Sequence, residues 1–189
     1  MTLAKSSLTL AEFLDLPETE PASEYIDGEI QQKPMPKTKH SRLQLKLCNA
    51  INDVAESALA AYAFPELRCT FGHRSIVPDI AVLLWPKIQW DETGEPVDDV
   101  KVSPDWIVEI LSPGQSPNRV TQKILYCLEH GTQLGWMLDP SDRSILVFVP
   151  NQLPIFYEGG DRLPVLTPIA LELTCDQIFG WLKMNPAVS

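Results

Sequence analysis

Ile76-Val77-Pro78-Asp79-Ile80-Ala81-Val82-Leu83-Leu84 and Trp106-Ile107-Val108-Glu109-Ile110-Leu111 are the two stretches on which the reading of this chain turns. Both have the length and β-branched content of buried strands. Each also holds one carboxylate where apolar residues are the rule. An ionised acid buried alone costs on the order of several kcal/mol, a cost that falls when a metal, a lysine or a hydrogen-bond network holds the charge. Two such acids on neighbouring strands make a cation site. Alternate residues of a strand share a face, so Ile107, Glu109 and Leu111 point one way and Trp106, Val108 and Ile110 the other. Val77, Asp79 and Ala81 are grouped in the same way. A second reading stays open for each acid. Asp79 could bond local backbone amides at the start of its strand, and Glu109 could pair with an arginine across the sheet.

Around these strands the periodicity predicts helices. Leu43, Leu47, Ala50, Ile51, Val54 and Ala58 make one apolar face of a helix from His40 to Leu59. Val120, Ile124, Cys127 and Leu128 make another over Val120 to Gly131, with Gly131 as the residue that ends it. Capping-box spacing at Thr9–Glu12 predicts a short helix over Leu10 to Leu16, and Thr174–Gln177 predicts a last helix. Ser23 to Gln32 reads as a hairpin turning at Asp27-Gly28. Further strands are expected at Ala63 to Thr70, Leu134 to Leu138, Ile145 to Val149 and Leu153 to Tyr157, and a polar flap over Pro86 to Ser103. The order implies an α/β (mixed α+β) chain: one mixed sheet flanked by helices, with an extra hairpin before it and strands and a helix after it.

Composition bounds the function. The 189 residues suit one domain spanning 1–189. A net charge of −10 argues against strong non-specific affinity for nucleic acid or an anionic membrane, though a local basic groove remains compatible with it. Cys48, Cys69, Cys127 and Cys175 form no Cys-x-x-Cys pair and read as reduced, mostly buried thiols of a cytoplasmic protein. Met1 to Leu16 lacks the apolar stretch of a signal peptide, and no run is long enough to cross a membrane.

Lys123 sits beside the apolar stripe of its helix and can reach back towards the sheet, although a lone helix lysine is commonly just solvated. With two acids it has a joint role. The acids hold Mg²⁺, and the lysine positions water or stabilises charge developing on a phosphate. Val77-Pro78-Asp79-Ile80-Ala81-Val82, then Trp106-Ile107-Val108-Glu109-Ile110-Leu111-Ser112-Pro113, then Lys123, Gly131, Trp136 and Asp139-Pro140 resemble the Uma-two family of restriction endonucleases, in the PD-(D/E)XK nuclease-like superfamily. Glu24-Tyr25-Ile26-Asp27-Gly28-Glu29-Ile30 and His40 also match, so the resemblance runs from Glu24 to Val149 and more loosely to Trp181.

The resemblance implies a restriction-endonuclease-like core, with the sheet between the His40 and Lys123 helices. It implies Asp79, Glu109 and the Ile110 carbonyl as ligands of Mg²⁺ (or Mn²⁺), Lys123 as the assisting lysine, and DNA as the substrate. A homodimer is expected only by analogy with double-strand cutters. The superfamily's commonest lysine position, two residues after the glutamate, is Leu111 here, and Lys123 fits the migrated place. The family usually has an aspartate four residues before that lysine, where this chain has Arg119. A guanidinium reverses that charge, which motivates the competing expectation of a catalytically weakened binding or regulatory module. Glu66 could add a carboxylate or be a surface acid, Glu24 reads as a hairpin-face acid, and His40 could meet a phosphate or merely cap its helix. Lys33, Lys37, Lys39, Arg42 and Lys46 form the one concentrated basic stretch, either a phosphate contact or a solvated face.

Overall fold

The strands of the described residues form two sheets. The computed structural model describes residues 8–184, so the reading of Met1–Ser7 as free of a signal peptide lies outside the described residues. Helix α1 (Leu10–Leu14) opens with the expected capping box, Thr9 accepting from the Glu12 amide while the Glu12 side chain accepts from the Thr9 amide. Strands β1 (Ser23–Ile26) and β2 (Glu29–Gln32) form the hairpin, and both turn residues take left-handed backbone, Asp27 at φ 52° and Gly28 at φ 89°. That is the twist a two-residue turn needs to match the strands. Helix α2 (Thr38–Ala55) follows. The stretch expected as one strand over Ala63 to Thr70 is two, β3 (Ala61–Pro65) and β4 (Cys69–Phe71), broken at Glu66, whose φ is 51°.

The Ile76–Leu84 run is likewise divided. β5 (Arg74–Ile76) and β6 (Ile80–Leu84) flank a non-strand link, Val77-Pro78-Asp79. Pro78 has no N–H to give a ladder, and here the chain leaves one sheet for the other. A four-stranded antiparallel sheet runs β2-β1-β5-β4. The second sheet has six strands in the order β10-β9-β8-β7-β6-β3, adding β7 (Trp106–Ile110), β8 (Leu134–Asp139), β9 (Ser144–Phe148) and β10 (Ile155–Glu158). It is mixed because β7 and β8 are parallel, Trp106 opposite Leu134 and Ile110 opposite Leu138, joined through helix α3 (Pro117–Glu129). The mixed sheet flanked by helices is as expected, while the N-terminal hairpin belongs to a separate sheet. A 3₁₀ turn at Trp85–Lys87 starts the mostly exposed flap.

The alternation on β7 sorts the core. Trp106, Val108 and Ile110 pack with Leu43, Leu47 and Ile51 of α2, all fully or almost fully buried. Ile107 packs with Val120, Ile124 and Cys127 of α3. The sheet is thus held between the two helices. α4 (Cys175–Gly180), capped by Thr174 and Gln177, covers the α2 side through Ile178 and Phe179. All four cysteines are free and buried, and burial pushes Cys48 and Cys69 up to about 12, which keeps these thiols inert. Among the described residues no helix is long and apolar enough to cross a membrane.

Candidate active site

Both sheet-to-sheet links deliver an acid to the same place. Glu66 lies between β3 and β4, Asp79 between β5 and β6, and the Glu66 amide donates to the Asp79 carbonyl at 3.2 Å. Gln44 of α2 ties the links together, its Nε2 donating to Glu66 Oε1 at 3.0 Å and to the Asp79 carbonyl at 2.7 Å. The Asp79 carboxylate is 3% exposed and fully engaged. Its Oδ2 accepts from the Ile110 amide at 2.7 Å, and its Oδ1 accepts from Lys33 Nζ at 2.8 Å. The same ammonium donates to Glu66 Oε2 at 2.8 Å. His40 Nε2 stands 3.4 Å from Asp79 Oδ1, a charge contact without hydrogen-bond geometry, and its Nδ1 is 3.4 Å from Ser112 Oγ.

The second half of the cluster comes from β7, α3 and β1. Glu109 is 1% exposed. Lys123 Nζ lies 2.9 Å from Glu109 Oε1, an ion-pair distance, yet off the direction a hydrogen bond requires, so that oxygen lacks a hydrogen-bond partner. Lys123 donates instead to Glu24 Oε1 at 2.9 Å, and Glu24 Oε1 also accepts from the Val77 amide at 2.8 Å. Glu24 is therefore no mere hairpin-face acid: it fixes both Lys123 and the link that carries Asp79.

Charge counting explains the proton affinities. Three buried carboxyl groups, Glu24, Asp79 and Glu109, share two buried ammonium groups, Lys33 and Lys123. Burial would raise Asp79, but His40, Lys33 and Lys123 outweigh it and hold the group well below the usual carboxylate range. Glu109 Oε1 accepts no hydrogen bond, whereas both Asp79 oxygens do. Burial pushes Glu109 up to about 8 despite Lys123, and the Asp79 charge adds to the rise. Burial opposes charge on Lys123 and on His40 as well, yet neighbouring carboxylates outweigh it and raise both, Glu109 and Glu24 acting on Lys123 and Asp79 on His40.

The structure thus brings Asp79, Glu109, Ile110 and Lys123 together, the four residues picked out in the sequence. It adds Lys33, Gln44 and Glu24, and it places His40 and Glu66 beside Asp79. Ligand atoms of His40, Glu66 and Asp79 all lie within 4.8 Å of one another, a set that could hold a metal ion. The basic stretch does not act as one patch. Lys33 is buried in the cluster, the Arg42 guanidinium is bonded to the Trp181 carbonyl, and Lys37, Lys39 and Lys46 are exposed. Two clefts open on the cluster, one against His40, Glu66 and Asp79, the other against Glu24, Lys123 and Arg119, and Lys33 lines both. A separate cavity beneath the flap, between Phe64, Leu83, Ile88 and Val100, contains none of these acids.

A mixed sheet between two helices, with a buried cluster of acids and lysines at the sheet junction, has the architecture of a nuclease-like fold. A crystal structure described as "a putative nuclease belonging to DUF820 from Anabaena variabilis ATCC 29413" matches with a TM-score of 0.91 and 48% identity, covering 93% of this chain and 99% of that one. The family model described as "Putative restriction endonuclease" matches residues 10–176, and the chain belongs to that family. No curated protein matches the chain.

Proposed function

We propose that this chain is a metal-dependent endonuclease hydrolysing DNA phosphodiester bonds. The observation that carries the reading is a buried site short of positive charge. Three carboxyl groups face two ammonium groups, and Glu109 Oε1 and His40 Nε2 have no hydrogen-bond partner. Carboxylate oxygens with one imidazole suit Mg²⁺ and, better, Mn²⁺. Asp79, Glu66 and His40 would hold the ion, with Glu109 and the Ile110 carbonyl as further donors. Such an ion polarises a phosphoryl oxygen and eases ionisation of water.

The chain's own groups do the rest. Glu24 holds the Lys123 ammonium so that it faces Glu109, where a fixed positive charge stabilises negative charge developing on a phosphate. Ile110 N–H and Gln44 fix the Asp79 segment, so that the carboxylate needs no rearrangement at the moment of reaction. Arg119 is exposed on the cleft wall that Lys123 also lines, where its guanidinium would meet the phosphate backbone of bound DNA. One domain over 1–189 acting in the cytoplasm belongs to the same proposal. So does a second copy of the chain when both strands of a duplex are cut.

The test is cleavage of plasmid and single-stranded DNA by purified protein in Mg²⁺, Mn²⁺ or EDTA, beside Asp79→Ala and Glu109→Ala. Metal-dependent cutting is expected in the wild type and abolished in both folded variants. Retained Mg²⁺-dependent cutting in either variant overturns the assignment. Arg119 in place of the family's aspartate favours the second reading, a catalytically weakened binding or regulatory module. Absence of cutting by well-folded wild type on both substrates selects it.

A further inference from the structure

Lys33 is the one buried member of the cluster that neither the family pattern nor the proposed reaction uses. Its ammonium stands 2.8 Å from both Asp79 Oδ1 and Glu66 Oε2, with a side chain only 9% exposed. His40, unpartnered at Nε2, faces the same Asp79 oxygen. The donor atoms that suit a divalent ion are thus already gathered around a cation, and that cation is the chain's own.

Resting on the metal reading above, we propose that Lys33 is an internal competitor for the cation site: its ammonium occupies the subsite of Asp79, Glu66 and His40, and a divalent ion loads by displacing it. The charge count supports the exchange. With Lys33 in place, the four carboxyl groups of the cluster, Glu24, Glu66, Asp79 and Glu109, meet two ammonium charges. With Lys33 withdrawn and a divalent ion present, Lys123 and the ion bring three positive charges to the same four groups. Lys33 also has somewhere to go. It follows β2 directly, its amide holding the Ala22 carbonyl at 2.9 Å, and its flexible stem lines the open cleft of Gln31 and Arg119 as well as the acid pocket. A swing of the stem frees the ligands without moving a strand. The released ammonium then stands in the cleft where phosphate is expected.

Competition of this kind lowers apparent affinity by the fraction of molecules whose site is open. The experiment is calorimetric titration of Mn²⁺ into metal-free wild type and Lys33→Met, with no nucleic acid present, backed by thermal melts at each Mn²⁺ concentration. Lys33→Gln serves as the second variant if Lys33→Met does not fold. The expected result is Mn²⁺ affinity at least about tenfold tighter in the variant. The variant should also melt lower than wild type in EDTA and gain more from Mn²⁺, because Asp79 loses its buried partner until the ion arrives. Wild-type binding with equal or weaker binding in the variant overturns displacement while leaving the metal site standing. Binding by neither protein overturns both the inference and the metal reading beneath it.

Discussion

Glu109 is a buried acid whose protonation reports on what the rest of the site lacks. In the unfolded chain it titrates near the ordinary 4.5, and in the folded, metal-free chain burial lifts it to about 8. Between those values the folded state holds a proton that the unfolded state has released. The contribution of Glu109 to stability is therefore fully present below pH 4.5 and is lost as pH rises through 8. Asp79 has the opposite sign. Its depressed pKa contributes stability above about 3.8, lost as pH falls below that range. Glu109→Gln keeps the shape and removes the titration. Urea unfolding in EDTA from pH 5 to 8.5 is expected to show wild-type stability declining across the interval and a flatter profile for Glu109→Gln, with the variant the more stable at pH 8.5. Parallel profiles for the two proteins would remove Glu109 as the proton carrier.

At the scale of elements, α3 and β8 set where Lys123 stands. The helix packs Val120, Ile124 and Cys127 onto the sheet, and Gly135 of β8 lets it come close. A Cβ at Gly135 would meet Ile124 Cγ2 at 2.4 Å. Ile124 is fully buried and β-branched, so it cannot turn aside. Gly135→Ala is expected to lift α3, at a cost of about 1–3 kcal/mol as for other overpacked sites, and to move the adjacent Lys123 away from Glu24. Urea midpoints and cleavage rate should fall together; an unchanged midpoint would show that the helix has room to spare. Most elements were legible in the sequence because their signals are local: Asp27-Gly28 turns the hairpin, two capping boxes start α1 and α4, and apolar stripes mark α2 and α3. The division of Ile76–Leu84 was not, because an apolar run reads the same whichever sheet its halves join. Lys33 was hidden for a similar reason. In a stretch of prolines and lysines it looks solvated, and its partners lie 33 and 46 positions further along the chain.

For the whole molecule, the proposed nuclease function asks a chain of net charge −10 to hold a polyanion. Much of the positive charge near the site is already committed, Lys33 to Asp79 and Glu66, Lys123 to Glu24 and Glu109. Among the described residues, the exposed cation that lines a cleft is Arg119, while the exposed Lys37 and Lys39 follow in sequence Pro36, which lines the other cleft. Each phosphate neutralised contributes about −0.9 to the slope of log affinity against log salt, so three contacts give about −3. That is shallow, and it is the slope the proposed nuclease reading requires if DNA is met through these clefts and not through a basic surface. Fluorescence anisotropy of a labelled duplex with the wild type in EDTA, where Lys33 stays paired with Asp79, is expected to give that slope between about 50 and 200 mM salt. Arg119→Ala under the same conditions should reduce its magnitude by about one. A slope of much larger magnitude would locate the DNA-binding surface away from the cleft. An unchanged slope after Arg119→Ala would take that residue off the phosphate path, leaving the family's missing aspartate without a compensating contact.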